Sequence, residues 1–289
     1  MEEKDYQRLL QKAQSFEKTE YFILRNLAQR TKKEKYKTVL ERLADFSLKH
    51  HDFIKKITKD EVEENHLEIL FYVFIARFTG LTFCLKLLER REERAISIYR
   101  QLSKKLPGFA SIINDEREHE TALVDLIDEE ILKYIGSVVL GLNDALVELT
   151  GALAGFTLAM QNNRLIGSAG LITGIAASLS MASSEYLSTK TDKGSKNPIR
   201  AAIYTGVTYI ITVMVLIAPY FISRNYLVSL AITLIVAALI ILLFSFYASV
   251  TQETSFAKRF GENIAISFGI ALISFLIGYL VRTFLHIEI

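Results

Sequence analysis

Residues 141–155 read GLNDALVELTGALAG, and residues 170–192 read GLITGIAASLSMASSEYLSTKTD. Each stretch lies in a run long enough for a membrane-spanning helix, which needs about 20 mostly apolar residues. With three further runs, spans are predicted at 135–160, 165–188, 200–222, 226–250 and 262–285. The sequence therefore predicts a five-helix transmembrane domain over residues 135–289, with the lipid bilayer as its surroundings.

Charged residues set this domain apart from the preceding part of the chain. Of the 66 Lys, Arg, Asp and Glu residues, 50 lie before position 135. Residues 1–134 have helical periodicity without strand-like alternation, which predicts a four-helix bundle and an all-α chain. Its helices are expected at 3–30, 33–59, 61–104 and 108–133. The apolar part of the third helix contains Arg77, Gly80 and Lys86, which argue against a sixth span.

Composition excludes several classes of function. The formal net charge is only +2, and neither domain has the basic face that nucleic-acid binding requires, so no nucleic-acid partner is expected. Cys84 is the single cysteine, so an intramolecular disulfide is excluded. Because Cys84 lies in an apolar run, we expect a buried, unreactive thiol.

The loops between the spans predict the orientation in a cell membrane, because cytoplasmic loops carry an excess of Lys and Arg. The loops after spans two and four contain Lys190, Lys193, Lys196, Arg200, Lys258 and Arg259. The other side has only Arg164, Arg224 and Arg282. We therefore expect a cytoplasmic N-terminal domain and, with five spans, a C-terminus on the opposite side.

Acidic residues inside the spans indicate more than an anchor. Asp144 and Glu148 lie four residues apart on one helical face. A carboxylate near mid-bilayer costs about 2.5 to 3.5 kcal/mol on insertion scales, so such residues usually line a pathway or find a partner. Met181 and Glu185 repeat the spacing, and a thioether beside carboxylates suits a divalent transition metal. The alternatives are an interfacial position for Glu185 and a helix-helix hydrogen bond for Asp144.

The two quoted stretches resemble the paired signature of the vacuolar iron transporter family. The resemblance implies a five-helix subunit that moves ferrous iron out of the cytosol. It implies that Asp144 is the pathway aspartate, Met181 the metal-contacting methionine and Glu185 the acidic position four residues after it. Where some members have a glutamate eight residues before the methionine, this chain has Thr173, and Glu148 is the candidate replacement.

The N-terminal domain contains a pattern typical of di-iron bundles, which take a Glu-x-x-His pair from each of two helices and one glutamate from each of the others. Glu116 and His119 form such a pair, and Glu92 lies on the preceding helix. With Ala95 and Tyr99, Glu92 also resembles the pattern of the rubrerythrin branch of the ferritin-like family.

An internal repeat of two helical hairpins predicts the remaining ligands. It places Glu17 opposite Glu92 and His50 opposite His119, and Glu20 lies one turn beyond Glu17. The position that requires the other glutamate is Ser47, and serine cannot replace a carboxylate ligand. Either another side chain compensates, or the domain holds fewer irons, or its oxidase activity is impaired. The candidates for compensation are Glu41, Asp45 and His51.

A ferritin-like domain followed by a five-helix transporter resembles the membrane-bound ferritins of bacteria and archaea. This resemblance implies iron export from the cytoplasm by a homodimer, driven by proton counterflow. Manganese is an alternative cargo, because the same oxygen and imidazole ligands suit both ions. A membrane-anchored ferroxidase or peroxide-consuming di-iron enzyme is the alternative function. We therefore expect the chain to be primarily a transporter, and weak ferroxidase activity of the N-terminal domain stays open.

Overall fold

The computed structural model describes residues 3–126, 129–192, 196–252 and 254–285. Lys193, which contributes to the predicted orientation, lies outside these ranges. The described residues form ten α-helices and no strand: α1 Glu3–Arg30, α2 Glu34–Thr58, α3 His66–Thr79, α4 Leu81–Leu102, α5 Phe109–Val124, α6 Glu129–Met160, α7 Asn163–Thr191, α8 Pro198–Ile222, α9 Tyr226–Thr251 and α10 Phe256–Leu285. They belong to two compact units, Met1–Asp128 and Glu129–Ile289. The second unit begins before Ile135, the predicted start of its domain, because α6 continues in the N-terminal direction beyond its apolar part.

In the first unit, α1 and α2 form an antiparallel pair. Thr58 Oγ1 donates to Gln14 Oε1 at 2.7 Å, and Arg25 donates to Asp45 at 3.0 Å. Residues later in α1 therefore contact residues earlier in α2. The two helices are joined by a short turn at 31–33.

Helix α4 also runs antiparallel to α1, and α5 runs antiparallel to α4. Arg91 donates to Glu20 at 2.8 Å, and Tyr99, later on α4, donates to Glu17, which is earlier on α1. The rings of Tyr99 and Phe109 stack at 5.9 Å near the α4–α5 turn. Helices α2 and α4 consequently point in the same direction. The connection between them has to run the length of the bundle.

This connection contains α3 and corrects the expectation of one helix over 61–104. Gly80 has φ +88, a conformation that favours glycine, and it separates α3 from α4. Helix α3 folds back along α4, since the hydroxyl of Tyr72 is 3.5 Å from the Leu87 carbonyl oxygen. Before α3, the loop bonds to α1 instead of forming a helix, and Lys18 donates to the Val62 carbonyl at 3.1 Å. The fourth predicted helix also ends early, at Val124 rather than 133.

Two apolar clusters lie in the first unit, and a buried polar layer separates them along each of the four long helices. One cluster contains Leu24, Leu27, Leu40, Leu43, Leu88 and Leu123, and the other contains Leu10, Ala13, Ile54, Ala95, Tyr99 and Ile112. Between them lie the buried residues Glu17, Glu20, Ser47, His50, His51, Arg91, Glu92, Glu116 and His119. The two apolar clusters form the hydrophobic core of the unit, and the predicted metal ligands lie in the polar layer between them.

The thiol of Cys84 is fully buried in the first cluster, as expected. Burial raises its pKa to about 12, because the thiolate would lose its hydration. We therefore expect the folded protein to resist maleimide at pH 8 and to react in denaturant, since the thiolate is the nucleophile. Mass spectrometry of samples quenched at increasing times measures the labelling, and rapid labelling of the native chain would contradict this expectation.

The second unit contains five helices that are long and apolar enough to cross a membrane. Among the described residues these spans are Lys133–Met160, Asn163–Thr191, Pro198–Ile222, Tyr226–Thr251 and Phe256–Phe284, which confirms the five predicted. Asparagines define three helix starts: Asn162, Asn197 and Asn225 each accept hydrogen bonds from the next turn's backbone N–H groups. An N-cap of this kind satisfies donors that lipid cannot.

Helices α6 and α10 approach each other through glycines. A Cβ atom at Gly278 would lie 2.2 Å from the backbone oxygen of Gly155, whereas one at Gly269 on the same helix would meet nothing within 4 Å. We expect Gly278→Ala to destabilise the unit by about 1 to 3 kcal/mol, because a backbone atom cannot move aside. Gly269→Ala is the matched control. Thermal unfolding in detergent compares them, and equal midpoints would contradict the packing.

Candidate metal centre

Five of the six predicted ligands in the first unit meet in its polar layer. Glu17, His50 and Glu116 form one group, and Glu20, Glu92 and Glu116 form another. Within each group one ligand atom per residue lies within 4.8 Å of the others, and all are buried. Glu116 belongs to both groups. Each group could hold a metal ion.

Helical spacing explains how these residues converge. Glu17 and Glu20 lie three residues apart on α1, and Glu116 and His119 have the same spacing on α5. This step places both side chains of a pair on one face. His119 Nδ1 lies 3.3 Å from Glu116 Oε2 without forming a hydrogen bond, and His119 is in neither group.

Several buried polar atoms in this layer have no hydrogen-bond partner among the described residues. They are Glu17 Oε2, both carboxylate oxygens of Glu92, Glu116 Oε2 and both ring nitrogens of His119. A buried polar atom without a partner costs about 1 to 3 kcal/mol. Oxygen and imidazole nitrogen are the ligands that divalent iron and manganese use. The residues therefore fit a divalent cation.

The electrostatics of the layer favour an added positive charge. Burial, followed by the charge of Glu116, raises the pKa of Glu17 to about 8. Burial and the neighbouring Glu20 and Glu116 raise the pKa of Glu92 well above its usual range. Burial opposes the charge of His50, but its hydrogen bond to Glu116 and the nearby Glu17 carboxylate raise its pKa to about 11. The carboxylates therefore repel one another, and Glu17 and Glu116 share the positive charge of His50.

Glu116 differs from the other two carboxyls. Burial alone would raise its pKa, but the nearby His119 ring and the hydrogen bond with His50 lower it below the usual range. His50 Nδ1 lies 3.0 Å from Glu116 Oε1. Glu116 is thus the carboxylate that stays ionised at the centre of the layer.

None of the three candidates for replacing the glutamate absent at Ser47 belongs to either group of the described residues. Ser47 donates to the Leu43 carbonyl at 3.1 Å and so turns to its own helix. Asp45 pairs with Arg25 at 3.0 Å, and His51 Nδ1 lies 3.2 Å from the Gln14 carbonyl oxygen. The additional carboxylate in the layer comes from α1, as Glu20.

Two residues beside the groups were missed by sequence reasoning. Arg91 is buried and donates both to Glu20 at 2.8 Å and to Glu68 at 3.0 Å. Asp115 Oδ2 lies 3.1 Å from His50 Nε2. The run ERREER does not reveal which arginine faces inward, and Asp115 is next to a stronger candidate. Helical periodicity in the sequence does not distinguish either residue from its charged neighbours.

In the second unit, two of the four predicted pathway residues, Glu148 and Glu185, contact hydroxyl groups rather than cations. Tyr209 donates to Glu148 Oε2 at 2.9 Å, and Ser137 donates to Glu185 Oε1 at 2.6 Å. For Asp144, the described residues provide no hydrogen-bond donor and no basic partner. Among the described residues, the three pathway carboxylates thus form no salt bridge.

The remaining pathway residue, Met181, is partly buried and packs against the apolar cluster of the second unit. The groups of three or more acidic or metal-binding side chains among the described residues lie in the first unit. Within the described part of the second unit, one copy therefore brings no three such side chains together.

The model of the VIT family matches residues 135–196, which include both stretches GLNDALVELTGALAG and GLITGIAASLSMASSEYLSTKTD. The match covers α6 and α7 and about a fifth of the chain. It agrees with the resemblance of this segment to vacuolar iron transporters. A comparison with curated proteins and one with solved structures found no match. With five apolar helices, the chain is a multi-pass membrane protein.

Proposed function

We propose that this protein moves divalent metal ions out of the cytoplasm across the membrane that its second unit spans. The observation that carries the proposal is the placement of Asp144 and Glu148 inside an apolar span, within the segment that matches the VIT family. Neither has a basic partner among the described residues. Carboxylates in hydrocarbon that are not paired usually mark an ion pathway. Met181 and Glu185 extend this pathway on α7.

The first unit captures the metal in this proposal. Helices α1, α2, α4 and α5 pack together, and α3 lies in the long connection between α2 and α4, an order that supports the proposal of a ferritin-like four-helix bundle. Its two ligand groups bind ferrous iron or manganese through Glu17, Glu20, His50, Glu92 and Glu116, with His119 beside them. We propose a cytoplasmic location for this unit, from the distribution of Lys and Arg in the loops.

Proton counterflow supplies the driving force in this proposal. Carboxylates must be deprotonated to bind a metal ion, so metal binding releases protons. A pathway of carboxylates, such as Asp144 and Glu148, can therefore exchange the two kinds of ion. The hydroxyl of Tyr209 orients Glu148 without adding a positive charge that would repel the cargo.

A homodimer accounts for the exposure of the pathway. Glu148 lies near the middle of its span and is exposed on a single copy, where lipid would otherwise surround it. A second copy, packed on this face of α6, would cover Glu148 and supply further ligands. The isolated carboxylates of one copy would then form a site between two.

An engineered cysteine checks this dimer. Leu140 lies one turn before Asp144 and is 40% exposed, and the native Cys84 is buried. We expect Leu140→Cys to form a disulfide between copies under mild oxidation, because the two-fold axis would bring equivalent positions together. Leu243→Cys, on exposed α9, is the control. Equal cross-linking of both variants, or of neither, would contradict a dimer through α6.

Metal uptake by vesicles that contain the full chain tests the proposed function. Ferrous iron and manganese are offered separately, with and without a pH gradient, and a dye inside the vesicles reports the metal. We expect uptake that exceeds that of protein-free vesicles and increases when protons can flow the opposite way. Oxygen or peroxide consumption with ferrous iron, without uptake, would instead support the membrane-anchored ferroxidase.

A further inference from the structure

Helix α3 exposes an apolar face. Its exposed large apolar side chains are Leu67, Leu70, Phe71, Phe74 and Phe78, with exposed fractions from 45% for Phe71 to 80% for Leu67. Their spacing places them on one stripe of the helix. The opposite side packs on the bundle through Tyr72 and Ile75. The helix is therefore apolar on both sides, although a water-facing side is normally polar.

Basic residues surround the C-terminal end of this stripe. A cavity of about 450 Å³ there is lined by Leu27, Arg30, Thr31, Lys32, Ala76, Arg77 and Leu81. Arg30, Lys32 and Arg77 are exposed, and none of them forms an ion pair with a carboxylate of the described residues. Arg77 directly precedes Phe78 of the stripe. Three unpaired cations at the edge of an apolar face suit an anionic group.

We propose that α3 lies on the surface of an anionic lipid bilayer, with its apolar stripe in the boundary between headgroups and acyl chains and a lipid phosphate at the basic cavity. Fourteen residues make a helix of about 21 Å, too short to span the membrane but suitable for lying in its surface. Helices with Phe and Leu on one face and basic residues at the edge bind anionic interfaces in this way.

The bilayer is a better occupant than a second copy of the same face. In a two-fold pairing through α3 the same basic rim of each copy would enter the interface. Most carboxylates near the start of the helix are already paired, because Glu61 and Glu64 pair with Lys18 and Lys55, and Glu68 binds Arg91. Exposed Glu63 remains, and one carboxylate does not balance the three cations of the rim. Lipid phosphates complement the rim, and the spans of the same chain keep a bilayer nearby.

A tryptophan on the stripe tests this inference, which is independent of metal transport. The chain has no tryptophan, so Phe74→Trp gives a single reporter at a position that is 60% exposed. The full-length variant is placed in lipid nanodiscs that contain brominated lipids, with or without anionic lipid. We expect the emission to shift to shorter wavelength and to fall about twofold or more with anionic brominated lipid, because the ring enters the interface.

Two controls make the result decisive. Leu48→Trp is exposed on α2, whereas α3 packs on α1 and α4, so its emission should stay unquenched. Adding Arg30→Glu, Lys32→Glu and Arg77→Glu to Phe74→Trp should remove the quenching in anionic discs. Equal quenching of the two reporters overturns the proposal. The proposal is also overturned if the emission of Phe74→Trp is blue-shifted but unquenched and a chemical cross-linker joins two copies through α3. That result would assign the face to an interface between copies.

Discussion

Replacing Glu116 with Gln is expected to remove metal binding by the first unit while the bundle remains folded. Glu116 is the one residue common to both ligand groups, and it is the carboxylate that stays ionised. An amide is nearly the same size but carries no negative charge. Since changing a residue that only supports a ligand already costs about 10- to 100-fold in metal affinity, we expect at least about a 100-fold loss here.

Metal content of the purified full-length protein measures this effect. Glu118→Gln is the matched control, because Glu118 lies on the same helix and is exposed. Thermal unfolding of the metal-free proteins excludes a folding defect. Removal of the Glu116 charge relieves repulsion on Glu17 and Glu92 but weakens the bond to His50, and these effects on the free energy of unfolding oppose each other. If Glu116→Gln retains the metal of the control, the assignment of the centre is wrong.

The second large effect is expected at Asp144. Asp144→Asn preserves the shape of the side chain and removes its charge from the middle of the proposed pathway. We expect metal uptake to fall about tenfold or more, because an uncharged amide no longer offsets the energy of a cation in hydrocarbon. The metal content of the first unit should remain unchanged. Loss of transport with retained binding separates the two units by function.

Uptake by reconstituted vesicles measures the effect of Asp144→Asn. Asp192→Asn is the control, since Asp192 is an exposed acidic residue at the end of α7. The same assay on Glu116→Gln shows whether captured metal feeds the pathway. A defect confined to low metal concentration is expected, because capture matters most when free metal is scarce. Transport by Asp144→Asn at the control rate would rule out the pathway.

The sequence predicts much of this architecture because two of its signals depend on local chemistry. Apolar length alone determines a spanning helix, since lipid leaves backbone groups no other partner. The Glu-x-x-His step and the repeat predict which side chains share a helical face, so Glu17, His50, Glu92 and Glu116 could be named before the structure. The assignment of their role stays a prediction.

The features that sequence reasoning missed depend on contacts between distant residues. Gly80 sits in an apolar run that suits a continuous helix, and only the folding of α3 onto α4 requires its positive φ. Arg91 is one of several arginines in its run, and the carboxylates of Glu20 and Glu68 select it. Periodicity describes a single helix, whereas the break at Gly80 and the burial of Arg91 depend on contacts between helices.

The polar layer between the two apolar clusters has a consequence for how the first unit forms. Its ligand atoms come from the first and last helices of the unit as well as from those between, so no short segment of nascent chain contains a complete ligand group. Both ends of the bundle have to close before the ligands meet. A metal ion would therefore bind after the domain has folded and stabilise it, rather than nucleate its folding.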